Sequence, residues 1–433
     1  MFISEALNIN EKGHLTIGGV DSVDIANEFG TPVYVMDEDL IRNNCQLYFK
    51  SIKKACGENG TALYASKAFS CLYVLKIAAE EGMGLDVVSG GELYTAHKAG
   101  FPMDKVYFHG NNKTKDEIEL AIKLGVGHFV VDNKYELYNI NEISEKYNKV
   151  SGVLFRIKPG VDAHTHDFIR TGQIDSKFGF ALETGEAEEI ISEALKCKNI
   201  SIKGLHCHIG SQIFEVKPFI HAAEIMIDFI KTISEKFSIE IDELNLGGGF
   251  GIQYLDSDDP IGYDKYIGEV MTVVKEKTKE YNLKMPKMIL EPGRSLVGTA
   301  GITLYKVGCV KDIPNVRKYV SVDGGMADNP RYIMYNAPYT ALIADRADDK
   351  NTQTVTIAGK CCESGDILIK NADMPDIKVG DTLAVLSTGA YNYSMSSNYN
   401  RIPKPPVVMI TNGKPHVIVK RETYEDIIRN DVL

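Results

Sequence analysis

Residues 62–132 read ALYASKAFSCLYVLKIAAEEGMGLDVVSGGELYTAHKAGFPMDKVYFHGNNKTKDEIELAIKLGVGHFVVD. Four short β-prone runs, ALYAS at 62–66, GLDVVS at 84–89, KVYFH at 105–109 and HFVVD at 128–132, alternate here with stretches whose apolar residues fall three and four apart. That spacing puts the apolar residues on one face of a helix, so the repeating unit is a strand followed by a helix. The alternation continues through VLFRIK at 153–158, IKGLHCH at 202–208, ELNLGG at 243–248 and KMILE at 287–291. Eight strands separated by amphipathic helices predict a closed parallel (β/α)8 barrel of the TIM type, with a doubly wound open sheet as the other architecture such a pattern allows. No internal sequence repeat accompanies the alternation, which is structural only.

After Leu296 the texture changes to β-rich segments broken by Gly, Asn and Asp, among them GITLYKVGCVKDI, KYVSVDGG, TQTVTIAGKC and VVMITNGKPHVIVKRE. The segment LTIGGVDSVDIANEFGTPVYVMD near the start reads partly the same way. The sequence therefore predicts an N-terminal segment, 1–36, contributing to a β domain, a barrel over 37–296, and a C-terminal β-rich domain over 297–433.

A chain of 433 residues is long enough for two or three domains, and 44% apolar with 25% charged residues is an ordinary globular composition. The net charge of −11 disfavours nucleic acid or an anionic membrane surface as partner, while leaving room for an anionic ligand in a locally positive pocket. Eight cysteines without a C-x-x-C pair indicate neither a disulfide framework nor a zinc knuckle. The opening MFISEALNINEKG has no basic stretch leading into an apolar run, and no eighteen apolar residues are consecutive, so the expected location is the cytoplasm.

In such a barrel the chemistry sits at the carboxyl ends of the strands. Read with that rule, Lys67 closes the first strand, Asp86 lies in the second, His109 closes the third and Arg156 lies in the fifth. His206 and His208 lie in the sixth, Gly247, Gly248 and Gly249 follow the seventh, and Glu291 closes the eighth in EPGR. A lysine at a strand end is either an amine poised for an imine link or a side chain snorkelling to water. The glycine run supplies backbone N–H groups in a tight turn, and Gly293 and Arg294 follow the next strand, so the two loops describe a phosphate cup. Glu291 could hold a proton on a heterocyclic nitrogen or pair with Arg294. His206 and His208, two apart, also suit a metal pair, as do His164 and His166, but no carboxylate set accompanies either. Lysine, flat histidine, strand-end glutamate and glycine loops together point to pyridoxal phosphate, with no metal.

The stretches YASKA, GLDVVSGGE, HCHIGSQI, NLGGGFGI, EPGRSLVG, CESGD and GAYNYSMSSNYN resemble the diaminopimelate decarboxylases, within the alanine-racemase-like, fold-type III pyridoxal phosphate enzymes. The resemblance spans nearly the whole chain, from TPVYVMD at 31 onward, and implies a C-terminal β domain of the alanine racemase type. It implies that Lys67 carries the covalent link to the cofactor, that His208 stacks on its ring and that Glu291 meets the pyridine nitrogen. Ser211, Gly248, Gly249, Gly293 and Arg294 are implied for the phosphate, with Tyr391 near it and Asp86 among the cofactor-binding residues. Arg294, Arg331, Tyr335 and Tyr391 are implied for the far end of the substrate. Cys362, the implied proton donor, and Glu363, also substrate-binding, would come from the neighbouring subunit of a homodimer. The activity implied is loss of carbon dioxide from the D-configured centre of meso-2,6-diaminopimelate to give L-lysine. Related barrels act on ornithine, arginine or carboxynorspermidine, and a pyridoxal phosphate carrier is the alternative from another class. The arginine in NPRYIMY and the glutamate in CESGD favour a substrate ending in both a carboxylate and an ammonium.

Overall fold

The computed structural model describes residues 3–161 and 175–433. The chain divides into two compact units, one of Asn44–Gly251 with Pro260–Gly293 and one of Met1–Asn43, Ile252–Asp259 and Arg294–Leu433.

The first unit is a parallel barrel of eight strands: β1 (Gly60–Ala65), β2 (Gly84–Val87), β3 (Val106–Phe108), β4 (His128–Val131), β5 (Ser151–Lys158), β6 (Ile200–His206), β7 (Glu243–Asn245) and β8 (Lys287–Leu290). Each pairs in parallel with the next, and β8 returns to β1 through Met288 opposite Gly60, which closes the ring. The interior is filled, not hollow: Leu63, Tyr107, Val130, Leu154 and Ile289 meet in one buried layer, each apolar side chain worth roughly 1.5–3 kcal/mol when fully buried.

The connecting helices form for local reasons. Lys115–Leu124 starts at Thr114, whose side chain accepts from the Glu117 N–H while Glu117 reaches back to Thr114, and it stops at Gly125 in the left-handed region at φ 78°. The box and the glycine stop together fix both ends of three turns. Lys217–Phe237 buries Phe219, Ala222, Ala223, Met226, Ile227, Ile230 and Ile233, the spacing of a single helix face. Among the described residues no helix is long and apolar enough to cross a membrane.

In the second unit, Val33–Asp37 pairs antiparallel with Gly301–Ile313 and parallel with Val407–Thr411, so strands from both chain ends share one sheet. Gly301–Ile313 is also antiparallel to Arg317–Val322 and to Thr382–Val385. Arg317–Val322, Gln353–Ala358 and Ile367–Met374 extend the sheet. A core of Tyr305, Val307, Val320, Val322, Ile357, Leu368 and Leu383 lies in this unit and includes Ile252 and Tyr254 from the loop after β7.

Candidate active site

Strand β8 ends at Leu290 and delivers Glu291, only 7% exposed, to the carboxyl end of the barrel. Three groups, from the ends of β7, β3 and β6, meet its carboxylate. Asn245 Nδ2 donates to Oε1 at 2.7 Å, His109 Nε2 lies 2.9 Å from the same oxygen, and His206 Nε2 lies 3.2 Å from Oε2. Burial alone would raise the Glu291 carboxyl, but the imidazoles of His109 and His206 outweigh it and hold the group well below the usual carboxylate range. Asp86 behaves oppositely: burial, with Glu291 adding to it, raises its carboxyl, and its Oδ1 is 3.7 Å from His109 Nε2. Two carboxylates flanking one imidazole are thus pushed in opposite directions. A carboxylate has about four lone-pair positions. Asn245 takes one at Oε1 and His206 one at Oε2, while His109 Nε2 sits close to Oε1 without a hydrogen bond, so acceptor positions remain for a ligand N–H.

The glycine turn after β7 lies against the loops that follow β6 and β8 with no side chain between them. A Cβ on Gly248 would come 2.1 Å from the Glu291 carbonyl, and one on Gly249, at φ +119°, 2.5 Å from the Gly210 carbonyl. Gly293 is equally tight, its Cβ position lying 2.9 Å from that of Ala65. Asn245 ties this turn to the glutamate, because its Oδ1 accepts the Gly247 N–H at 2.9 Å while its Nδ2 holds Glu291. Gly248 N–H donates to His208 Nδ1 at 3.3 Å, which leaves the ring proton on Nε2. Burial, helped by the charges of Lys67 and Arg156, keeps the His208 imidazole well below its usual range and therefore neutral. Ser211 follows in the same loop, half-buried. Lys67 sits in the single 3-10 turn Ser66–Ala68 beyond β1, exposed, and its charge reaches both Asp86 and His208. These residues fit pyridoxal phosphate: an ionised carboxylate with acceptor capacity to spare, a neutral flat ring, an exposed amine and a side-chain-free glycine cradle.

Several expectations change in detail. β6 stops at His206, so His206 and His208 do not share a strand face: the first turns to Glu291 and the second to Gly248. Glu291 pairs with the two imidazoles and Asn245, and no ion pair joins it to Arg294 among the described residues. His109, His206 and Glu291 place their ligand atoms within 4.8 Å of one another, a set that could also hold a metal ion, though the 2.9 and 3.2 Å contacts are hydrogen-bond lengths. His164 and His166 lie outside the described residues. Asn245 carried no sequence argument, although an asparagine closing an apolar strand just before a glycine run is itself a signal of a buried polar job.

The β-rich unit carries a second cluster. Arg294 and Arg331 are both buried, and their guanidinium carbons lie 4.8 and 5.3 Å from the ring centre of Tyr391, so the tyrosine is flanked by two cations. Arg331 also lies 5.6 Å from the Tyr335 ring. Arg294 Nη1 donates to Tyr254 Oη at 2.6 Å, and Tyr254 packs edge-on against Tyr339. Tyr254 and Tyr339 are members of this cluster that the motifs did not single out. Among the described residues Arg331, 8% exposed, has no carboxylate partner. A buried cation without a counter-charge is costly unless a ligand brings one. The two adjacent cysteines separate cleanly: Cys361 is buried, its thiol pushed up to about 12 by burial and by Asp366, whereas Cys362 and Glu363 are exposed.

Residues 41–298 match the family model described as pyridoxal-dependent decarboxylase, pyridoxal binding domain. Over 432 residues the chain is 49% identical to the diaminopimelate decarboxylase of Bacillus subtilis, covering all of this chain and 98% of that one. It is 50% identical to the enzyme of the same name from Bacillus methanolicus, covering 98% of each. The crystal structure of diaminopimelate decarboxylase from M. jannaschii in co-complex with L-lysine superposes with a TM-score of 0.92 at 37% identity, over 100% of this chain and 99% of that one. With the pairing of Glu291, the glycine cradle and full-length similarity in agreement, the chain belongs to the diaminopimelate decarboxylase family of pyridoxal-dependent decarboxylases.

Proposed function

We propose that this protein is a pyridoxal phosphate-dependent carboxy-lyase that removes carbon dioxide from the D-configured centre of meso-2,6-diaminopimelate and releases L-lysine, the last step of lysine biosynthesis by the diaminopimelate route. The observation that carries the substrate reading is the buried Arg331, which has an aromatic surround and, among the described residues, no carboxylate partner. Ornithine and arginine end in a cation, which a buried guanidinium repels, whereas diaminopimelate ends in a carboxylate that it can take in a planar two-bond fork.

Bound pyridoxal phosphate supplies the electron sink that accepts the bonding pair when the carbon–carboxylate bond breaks. The work of the protein is positional. The Lys67 amine would hold the cofactor covalently. The Glu291 carboxylate keeps a proton on the ring nitrogen, and its own charge is secured by His109, His206 and Asn245. The neutral His208 ring would stack against the cofactor, the N–H groups of Gly248, Gly249, Gly293 and Arg294 with the Ser211 hydroxyl would hold its phosphate, and Asp86 and Tyr391 would complete the set of cofactor-binding residues. Arg294, Arg331, Tyr335 and Tyr391 take the distal carboxylate, Glu363 takes the distal ammonium, and the Cys362 thiol returns a proton to the carbon that lost carbon dioxide.

We also read the protein as a cytoplasmic homodimer in which Cys362 and Glu363 serve the partner's site. The exposure of both residues in the single chain supports this. Incubation with meso-diaminopimelate should give stoichiometric carbon dioxide and L-lysine; a folded, cofactor-loaded protein that leaves diaminopimelate untouched and decarboxylates ornithine would overturn the reading. Mixing inactive Lys67→Ala chains with inactive Glu363→Ala chains should restore activity, because one hybrid site of each mixed dimer then has both residues. Verified subunit exchange without recovery would exclude shared sites.

A further inference from the structure

Between the loop that leads to Arg331 and the loop that holds Cys362 and Glu363 lies a buried carboxylate, Asp366, with no role in the account above. It is 3% exposed. Its Oδ1 accepts the Met326 N–H at 2.6 Å and its Oδ2 accepts the Cys361 N–H at 2.7 Å, so each oxygen is bonded to a different loop. Its own backbone carbonyl accepts the Gly359 N–H at 3.0 Å, and the Lys360 N–H donates to the Gly324 carbonyl at 2.9 Å. Two glycines make room for it. A Cβ on Gly325 would stand 2.5 Å from Oδ2, and one on Gly359 would stand 2.2 Å from Oδ2 and 2.4 Å from the Gly325 Cα. Both backbones therefore close on the carboxylate itself, which no side chain larger than hydrogen at those positions would permit. Charge-assisted bonds to backbone N–H are about twice as strong as neutral ones, and a buried carboxylate cannot give one up without leaving an unpaired charge.

The second fixed point of the first loop is Asp328. Its Oδ1 accepts the Gly325 N–H at 2.8 Å, and the Tyr305 hydroxyl donates to its Oδ2 at 2.5 Å. Asp328 stands three residues before Arg331, so the segment from Gly324 to Arg331 is pinned to the sheet by Asp328 and to the cysteine loop by Asp366. Among the described residues Asp366 has no ion pair with a lysine or arginine; its partners are the backbone N–H groups of Met326 and Cys361 and the Cys361 thiol.

We propose that Asp366 is a positioning residue for substrate selection, locking the backbone that carries Arg331 to the backbone that carries Cys362 and Glu363 so that both loops hold one fixed geometry. The inference rests on the reading of those three residues given above. In the homodimer read there, it also means that the loop serving a chain's own substrate and the loop lent to its partner share one anchor.

The test is Asp366→Asn, which keeps the shape but turns an –NH2 toward one of the two N–H donors and so opens one side of the lock. L-Lysine keeps the distal carboxylate and ammonium of the substrate, whereas 1,5-diaminopentane lacks the carboxylate. The inhibition constant for L-lysine and the KM for diaminopimelate should each rise about tenfold in Asp366→Asn. The 1,5-diaminopentane inhibition constant should rise clearly less than that for L-lysine, because this ligand keeps the ammonium contact to Glu363 and lacks only the carboxylate that Arg331 takes, and the amount of cofactor fixed by borohydride should be unchanged. Gly359→Ala, which drives a methyl group into the carboxylate, should reproduce the pattern and serves if the first variant does not fold. Equal weakening of both inhibitors, or of neither, in the folded variants would overturn the proposal. Arg331→Ala in parallel separates the two levels. If it leaves L-lysine binding intact, the substrate reading fails; if it weakens L-lysine while Asp366→Asn and Gly359→Ala do not, only the role of Asp366 fails.

Discussion

The barrel mouth and the arginine–tyrosine cluster of the β-rich unit treat buried charge in opposite ways. At the mouth, Glu291 is bonded by Asn245 and His206 and approached by His109, all from its own unit, and keeps acceptor capacity open. In the β-rich unit, Arg331 is as deeply buried but is met by aromatic faces and, among the described residues, by no carboxylate. The contrast teaches a division of labour. A group that must keep one protonation state through every turnover is preorganised by fixed partners, because reorganising them would cost energy at each cycle. A group that must recognise a ligand keeps its counter-charge unmade, so that only a substrate bearing the right anion removes the penalty.

The comparison yields predictions that act on one region and spare the other. The largest effect belongs to Lys67→Ala, which should abolish the borohydride-fixable cofactor link and lower kcat by at least about a thousandfold. Mapping the reduced adduct to another lysine would contradict the assignment. Glu291→Gln should come next, retaining cofactor and KM while lowering kcat by about 10²–10³-fold, since a neutral amide cannot hold the ring nitrogen's proton. Normal turnover in that folded variant would erase the supposed division of labour at the mouth.

Arg331→Ala should act on the other region: kcat/KM for diaminopimelate falls at least about tenfold, the equivalent of about 1.4 kcal/mol, with the cofactor absorbance near about 420 nm intact. Arg331→Lys should recover only part of the loss, because an ammonium lacks the planar fork. A variant whose preference among diaminopimelate, D-lysine and L-ornithine is unchanged would remove Arg331 as the distal clamp.

The last effect, on stability and not on turnover, comes from the amino end of the barrel. There His128 stacks on Tyr107 at 4.3 Å, and its imidazole is pushed down to about 4 by burial, with Lys287 and Lys203 adding to the shift. Unfolded, the same group titrates near 6.5, so between about pH 6.5 and 4 the unfolded chain binds a proton that the folded one does not. The stability contributed by keeping this ring neutral is complete above about pH 6.5 and is lost as pH falls toward 4, amounting to about 1–3 kcal/mol. Urea unfolding should show that slope, and His128→Gln should flatten it without changing the cofactor link or substrate preference. A slope unaltered by the substitution would place the titration elsewhere.

Much of this was legible along the chain because it depends on local order. The two-and-three-to-four alternation from Ala62 to Asp132 is a property of consecutive residues, and it is enough to specify strand, helix and their succession. The glycine run at 247–249, the lysine after the first strand and the glutamate after the last are legible for the same reason: a barrel puts strand ends at one mouth, so position along a strand translates into position in space. Boundaries were less legible. The sixth strand ends at His206, two residues short of the apolar pattern, because backbone pairing with β7 stops at Asn245 and nothing in the local sequence records that partner's length.

What only the tertiary structure decided is which groups meet. His206 and not His208 holds Glu291, Asn245 joins the glutamate to the glycine turn, Tyr254 reaches Arg294 from the loop after β7, and Asp366 bonds two loops at once. Each of these contacts joins segments whose registers are set independently, by barrel closure in one unit and by an antiparallel sheet in the other. The sequence by itself determined the elements and the types of side chain they carry, since periodicity and turn chemistry are local. The partners of each buried charge followed only from the packed chain, since hydrogen bonds of 2.6 to 3.2 Å are fixed by strand register and backbone approach that no short stretch of residues contains.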